Sequence, residues 1–228
     1  MKRVLFVAIM TALVSGPAMA TLSLPGTGGD SVVPVGIDDN YRLYPLDVPP
    51  PADVPPGSST GASLRAAHSG WYAPDPGYSW IGPTSESAQT AIDDPGYYWF
   101  KLDLGQQISD QGGFNAGNLY LIEGDWATDN SAAMFLNGSG PLIDLGITRE
   151  PAEYDQLTSF AFTATLSEDS TLLFRVLNDP YPGGGYTGAN PVGLLVQNLT
   201  GTLVPLPGAV LLGMLGLAAA GRKLRKMC

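Results

Sequence analysis

The sequence has only one histidine and one cysteine among its 228 residues. One residue of each kind excludes a zinc centre built from several His and Cys ligands, an iron–sulfur cluster and an intrachain disulfide. A hydrolase triad is also not predicted. The only histidine is His68, and Ser69 follows it directly in sequence, which is not how a base faces its nucleophile. Because Cys228 is the last residue, the body of the chain has no cysteine at all.

Basic residues are also scarce, with 11 Lys and Arg against 21 Asp and Glu. A nucleic-acid-binding surface needs clustered Lys and Arg, so nucleic acid is not a predicted partner. Six of the basic residues lie near the two ends: Lys2, Arg3, Arg222, Lys223, Arg225 and Lys226. All 21 acids and the other five basic residues lie between them, so the body carries −16 where the whole chain carries −10.

Long helical periodicity is missing between the two ends, and 29 Gly and 20 Pro indicate many turns. Short stretches with strand-like alternation recur instead. They cover residues 41–44, 96–104, 116–122, 133–136, 159–166, 171–177, 192–196 and 199–204. This pattern predicts an all-β fold, a jelly-roll β-sandwich spanning residues 35–203, with residues 123–130 as a turn-like loop.

The first 20 residues have the three parts of a secretory signal peptide. Lys2 and Arg3 precede an uncharged run over residues 4–14, and Ala18-Met19-Ala20 supplies the small residues that signal peptidase requires. We therefore expect export by the Sec machinery and cleavage after Ala20. Residues 21–34 are rich in Gly, Pro and Ser and are predicted to be disordered.

Residues 204–228 also have three parts. A proline-bounded motif comes first, formed by Val204, Pro205, Leu206, Pro207 and Gly208. An uncharged predicted helix over residues 208–221 follows, and at about 1.5 Å per residue it spans roughly 21 Å of a hydrocarbon core of about 30 Å. The basic cluster at residues 222–226 then predicts that the last residues stay in the cytoplasm while the body lies outside.

This tail resembles the PEP-CTERM sorting signals, in a variant where Leu206 stands at the position of the usual Glu. The resemblance implies processing by an exosortase-type enzyme. The protein would be held briefly in the inner membrane and then passed to the cell surface or the extracellular matrix. An uncleaved single-pass membrane anchor is the alternative interpretation.

Four segments of the body resemble galactose-binding-like β-sandwich modules: residues 124–130 (GDWATDN), 135–138 (FLNG), 173–178 (LFRVLN) and 190–194 (NPVGL). This resemblance implies the fold of a non-catalytic structural or binding module. An alternative within it is binding of carbohydrate such as exopolysaccharide. A secreted glycoside hydrolase using two carboxylates is the less favoured alternative, because 21 acids supply pairs without discrimination.

Two sets of residues are candidate binding sites. Glu123, Asp125, Asp129 and Asn130 fall on one predicted loop and could hold Ca²⁺, but their spacing differs from an EF-hand, and ordinary turn hydrogen bonds are the favoured explanation. Trp71, Tyr78 and Trp80 lie in a Pro-rich region and could stack on sugar rings, or could instead cover the end of the core.

Overall fold

The computed structural model describes residues 21–28, 36–45, 60–67, 69–85, 93–112, 118–138, 140–151, 153–178 and 191–204. These residues form eleven strands and one short helix: β1 (Thr21–Ser23), β2 (Gly36–Pro45), β3 (Thr60–Arg65), β4 (Trp80–Gly82), β5 (Gly96–Leu102), α1 (Leu104–Asp110), β6 (Leu119–Asp129), β7 (Ser131–Asn137), β8 (Ile143–Arg149), β9 (Thr158–Thr165), β10 (Thr171–Asn178) and β11 (Gly193–Val204).

The strands pair in the order β8-β7-β10-β5-β2-β3-β4-β11-β6-β9, and β1 also pairs with β11. The order folds over into two layers. We call β8-β7-β10-β5-β2 the front sheet, and β4-β11-β6-β9 with β1 the back sheet. Strand β3 lies between β2 and β4 and links the two. Trp126 of β6 and Phe174 of β10 meet between the layers, with ring centroids 5.8 Å apart. The prediction of an all-β sandwich is therefore confirmed.

Side-chain alternation explains why each strand of the front sheet has one buried face. Successive side chains on a strand point to opposite sides, so every second residue enters the core. In β5 the core residues are Tyr98, Phe100 and Leu102, and in β10 they are Leu172, Phe174 and Val176. The residues between them must lie on the outer face of the front sheet.

Strand β6 corrects the prediction that residues 123–130 form a loop. The strand runs without interruption from Leu119 to Asp129 and pairs with β11 on one side and β9 on the other. Its acidic residues are tolerated in a strand because they alternate with Ile122 and Trp126, which are fully buried in the core.

Residues 21–28, part of the segment 21–34 that was predicted to be disordered, pack against the back sheet; residues 29–34 lie outside the described residues. Residues 21–23 pair with β11, Leu24 is buried, and Thr27 N donates to Val196 O at 2.9 Å. Composition does not reveal this order, because the backbone of residues 21–23 takes its hydrogen-bond partners from β11, which is distant in sequence. Helix α1 is a further correction: Leu104 was predicted to end a strand, yet it begins a short helix that buries Leu104 and Ile108.

The rest of the predicted terminal segments lie outside the described residues. The signal peptide over residues 1–20, and the tail beyond Val204, which is the last residue of β11, are therefore not described by the structure. Within the described ranges, no helix combines the length and apolar character needed to cross a bilayer.

A buried ion pair joins the two layers. Arg65 at the end of β3 donates from Nη1 to Asp93 Oδ2 (2.6 Å) and Val192 O (2.9 Å). Its Nη2 donates to Asp93 Oδ1 (3.1 Å) and Thr84 Oγ1 (2.8 Å), and its Nε donates to Thr84 O (3.2 Å). The side chains of Arg65 and Asp93 are 0% and 3% exposed, so the charges are paired and the five guanidinium donors are all used.

Asp93→Asn should destabilise the fold by about 3–5 kcal/mol, because it leaves the Arg65 charge buried and unbalanced. Urea unfolding at pH 7 measures the loss. Asp110→Asn is the matched control: Asp110 is exposed and accepts a hydrogen bond from Gln106 Nε2 at 2.6 Å on the surface, so this change should cost under about 1 kcal/mol. Equal losses in the two variants would contradict a structural role for the Arg65–Asp93 pair.

Candidate functional site

The aromatic residues predicted to stack on sugars pack onto the back sheet instead. Trp71 and Trp80 are 7% and 0% exposed, and their ring centroids lie 4.4 Å apart. They form an apolar cluster with Ala127 of β6 and Leu195 of β11. The segment between β3 and β4 therefore covers the outer face of the back sheet, and these two indoles are not available as exposed stacking platforms.

Tyr78 is partly buried in the same region. Its hydroxyl oxygen accepts a hydrogen bond from the backbone N–H of Asn198 at 3.3 Å. Its ring lies against Gly26, since a Cβ at that position would fall 2.5 Å from Tyr78 Cε1. Tyr78 thus joins the N-terminal segment to β11 and has a packing role.

Asp125, one of the predicted calcium ligands, joins three strands. Its Oδ1 accepts from Ser159 Oγ of β9 at 2.6 Å, and its Oδ2 accepts from Asn198 Nδ2 of β11 at 2.9 Å. Gln197 lies directly opposite Asp125 in the ladder, and its buried side-chain amide has no hydrogen-bond partner in the described ranges. Both oxygens of the Asp125 carboxylate are therefore already engaged within the protein.

The other predicted calcium ligands do not converge with Asp125 on a loop. Glu123 is exposed on β6, and Asp129 at the end of β6 accepts a hydrogen bond from Trp71 Nε1 at 2.8 Å. Asn130 Nδ2 donates to Asn178 Oδ1 at 3.2 Å. In the described part of the chain, no three His, Cys, Asp or Glu side chains group closely enough to hold a metal ion. The loop on which the calcium hypothesis rested is absent.

Asp129 is a largely buried carboxyl group with a raised pKa. Burial raises its pKa from 3.8 to about 6, and the hydrogen bond from Trp71 opposes that rise. No neighbouring carboxylate contributes to the shift. A glycosidase acid is commonly tuned by burial beside a second carboxylate, so Asp129 by itself does not form the pair that this chemistry needs.

Burial also raises the pKa of Asp38, although its carboxylate accepts backbone hydrogen bonds from Gly28, Asn40 and Tyr41 at 2.6–3.0 Å. These three bonds hold an irregular segment of β2 against the N-terminal segment. Asp38 is therefore explained by backbone structure, and it is not a candidate for acid–base chemistry.

The outer face of the front sheet carries a different set of side chains. On the face opposite the core, the ladders β2–β5, β5–β10 and β10–β7 align aromatic and basic residues. We call this set the basic face; it consists of Arg42, Tyr44, Tyr97, Trp99, Lys101, Phe135, Leu173 and Arg175. Tyr44, Trp99, Phe135 and Leu173 are 1–7% exposed and form its floor.

Arg175 lies over this aromatic floor. Its Cζ is 4.9 Å from the ring centroid of Tyr97, 5.0 Å from that of Phe135 and 5.7 Å from that of Trp99. Such cation–π contacts hold a guanidinium group in place without using its N–H donors. Among the described residues, no ion pair or hydrogen bond involves Arg175, so none of their acceptors occupies its N–H donors.

The basic face gathers every body cation that is not used inside the fold. Of the five basic residues between the terminal segments, Arg65 pairs with Asp93, and Arg149 donates to the carbonyls of Trp126, Glu153 and Gln156. The remaining three are Arg42, Lys101 and Arg175. Arg42 lies directly opposite Lys101, and Arg175 lies directly opposite Trp99, two residues from Lys101 on β5.

Sequence reasoning did not single out the basic face. The alternation in residues 96–102 (GYYWFKL) already places Tyr97, Trp99 and Lys101 on one side of a strand. It does not show that β2 and β10 flank that strand, which requires pairing between segments far apart in sequence. The sequence does show that the body has only five Lys and Arg, but it does not show which of them remain at the surface.

No family model matches the chain, and no curated protein matches it. Solved structures of family 29 carbohydrate-binding modules are similar to it at low identity. One mutant of module CBM29-2 aligns with a TM-score of 0.40 and 10% identity over 81% of this chain and 92% of that chain. Another CBM29-2 mutant, complexed with mannohexaose, aligns with a TM-score of 0.39 and 9% identity over 81% and 92%. At these values the likeness assigns neither a ligand nor a site to this chain.

Asp129→Asn should remove a pH-dependent loss of stability. With the pKa of Asp129 raised from 3.8 to about 6, the unfolded chain loses its proton first. The stability that the protonated carboxyl provides is therefore present below pH 3.8 and is lost as the pH rises through about 6. Two pKa units correspond to roughly 3 kcal/mol.

Urea unfolding between pH 4 and pH 8 tests this expectation, since asparagine keeps the acceptor for Trp71 but carries no proton to lose. The variant should be the more stable protein at pH 8 and should show a flatter pH profile. Asp110→Asn, which removes an exposed carboxylate, is the control and should leave the profile unchanged. A variant profile that still falls between pH 4 and pH 6 would contradict the assignment.

Proposed function

We propose that this chain is an exported surface or matrix protein whose β-sandwich body binds polysaccharide without catalysis, through the basic face. The observation that carries the proposal is the placement of Arg42, Lys101 and Arg175 together over an aromatic floor. A body of formal charge −16 has few cations to place, and all those left free by the core occupy one sheet face.

The shape and chemistry of the basic face suit an extended polymer. The face spans four neighbouring strands, β2, β5, β10 and β7, and is continuous across them. Tyr97 and Arg175 are partly exposed above the buried floor. A tyrosine ring offers an apolar surface to a sugar ring, and a guanidinium group offers planar donors to hydroxyl and carboxylate oxygens.

A non-catalytic role agrees with the acids of the described residues. Asp38, Asp93 and Asp125 are each engaged in hydrogen bonds inside the fold. Asp129 has a raised pKa but no carboxylate partner contributing to it. The glycoside hydrolase alternative therefore has no specific observation in its favour.

The sorting part of the proposal rests on the terminal segments. We propose that signal peptidase removes residues 1–20 and that an exosortase-type enzyme processes the tail near Val204–Gly208. The cluster of Arg222, Lys223, Arg225 and Lys226 would stop transfer through the inner membrane. The body would then be a galactose-binding-like module displayed at the cell surface or in the matrix.

Tyr97→Ala should weaken polysaccharide binding by roughly tenfold, because a ring on the basic face that also supports Arg175 is lost. Affinity gel electrophoresis against soluble neutral glucans and mannans and against alginate and polygalacturonate measures binding. Tyr154→Ala is the matched control, since Tyr154 is 38% exposed and lies outside the basic face. If no polysaccharide retards the wild-type protein, the proposed function is wrong.

The tail makes a separate prediction. The protein released from cells should begin at Thr21 and should end near residues 204–208, because the proline-bounded motif is the expected processing point. Mass spectrometry of the intact surface-released protein measures both ends. Recovery of Cys228 on the released protein would contradict processing and would support the retained anchor.

A further inference from the structure

We propose that the ligand of the basic face is an acidic polysaccharide, and that Arg42 and Arg175 bind its carboxylate groups. This inference rests on the proposed function and narrows it from polysaccharide in general to carboxylated sugars. It does not depend on the terminal segments.

The first argument is the unfavourable placement of like charges. Arg42 and Lys101 lie directly opposite each other on β2 and β5, and like charges at opposed positions in an antiparallel pair destabilise the sheet. Asp103 relieves this only in part, because its side chain is 49% exposed and, among the described ion pairs, it pairs with Lys101 and not with Arg42. A bound anion would remove the repulsion between the two side chains. Unfavourable local arrangements of this kind are expected at functional sites.

The second argument is the state of the Arg175 side chain. Three rings hold its guanidinium group at 4.9–5.7 Å from their centroids, while its N–H donors have no hydrogen-bond partner among the described residues. A guanidinium group fixed in this way loses little conformational entropy on binding, and its fork of donors matches a carboxylate in a bidentate contact.

The third argument is a buried donor in the floor. Trp99 is 2% exposed, and its indole Nε1, like that of Trp126 in the core, has no hydrogen-bond partner among the described residues. Trp99 lies directly opposite both Tyr44 and Arg175, so this orphaned donor belongs to the middle of the basic face. Buried donors without partners are rare in native proteins and call for a physical explanation.

Charge density favours a polysaccharide over a nucleic acid. Duplex DNA carries about one negative charge per 1.7 Å of axis, and the rest of this body carries a large excess of acids that repel such a polymer. An acidic polysaccharide such as polygalacturonate carries its carboxylates on the sugar rings, one on each sugar unit. Its rings can therefore contact Tyr97 while its carboxylates reach Arg42 and Arg175.

Two acidic groups of the described residues lie beside the basic face, and neither is paired with its arginines. Asp103 pairs with Lys101 at 2.9 Å. Asp144 of β8 lies opposite Phe135 at the edge of the face, and its Oδ1 accepts a hydrogen bond from Gly146 N at 2.8 Å. Neither is paired with Arg42 or Arg175 in the described structure.

The test is isothermal titration of the folded protein with oligomers of polygalacturonate and alginate, each beside the same oligomer with its carboxylates methyl-esterified. The acidic forms should bind and the esterified forms should bind at least about tenfold more weakly, because a charged hydrogen-bond pair is lost. Raising the salt concentration from 50 mM to 500 mM should weaken binding several-fold, since exposed charges are screened.

Variants identify the residues responsible. Arg175→Gln and Arg42→Gln should each lower the affinity for the acidic oligomers by about tenfold, for the same reason. Arg42 is exposed, so its variant stays informative if Arg175→Gln lowers stability. Glu123→Gln is the control, because it removes one exposed charge from the opposite sheet.

The outcomes separate the two proposals. Equal binding of the esterified oligomers, or unchanged affinity in both arginine variants, would overturn the acidic ligand and leave polysaccharide binding standing. A single-stranded oligonucleotide of matched charge that binds as tightly would overturn it as well, by showing a face that binds any anion. If neutral and acidic polysaccharides all fail to bind, the proposed function itself is overturned.

Discussion

The buried pair of Arg65 and Asp93 is the interaction on which the arrangement of the two sheets depends. Asp93 also accepts a hydrogen bond from Val192 N at 2.7 Å, and Asn178 Nδ2 donates to the backbone carbonyl of Asp93 at 2.9 Å. The pair therefore ties the end of β3, the approach to β5, the end of β10 and the start of β11 to one point. Because β5 and β10 carry Trp99 and Arg175, the same contacts fix the register of the basic face.

Charge is divided between the two outer surfaces of the sandwich. The outer side of β6 carries Glu123, Asp125 and the largely buried Asp129, while the outer side of the front sheet carries the three cations that the core does not use, with Asp103 paired to Lys101 beside them. Long-range repulsion from a body of charge −16 weakens the binding of a single carboxylate. At physiological salt, however, screening confines that repulsion to about 8 Å. The affinity of an anion that contacts the basic face then depends mainly on the residues of the face.

Aromatic residues serve two separate purposes in this fold. Trp71 and Trp80 pack on the back sheet and take their hydrogen bonds from within the protein, through Asp129 and the Tyr72 carbonyl. Trp99 and Phe135 support a cation on the front sheet instead. Residue type and a loop-like sequence context were equally consistent with both roles, and the sheet on which each ring packs separates them.

Alternating side chains were enough to predict a β-sandwich and most of its strands, because a strand with one buried face leaves a period of two in the sequence. They failed at β6, where Glu123, Asp125 and Asp129 read as a loop although they lie on the outer side of a strand paired on both edges. The sequence by itself determined the fold class, the acidic body and the lack of cysteine. Only the tertiary structure decided which cations are buried and which lie side by side, because strand pairing brings together residues as distant as Arg42, Lys101 and Arg175.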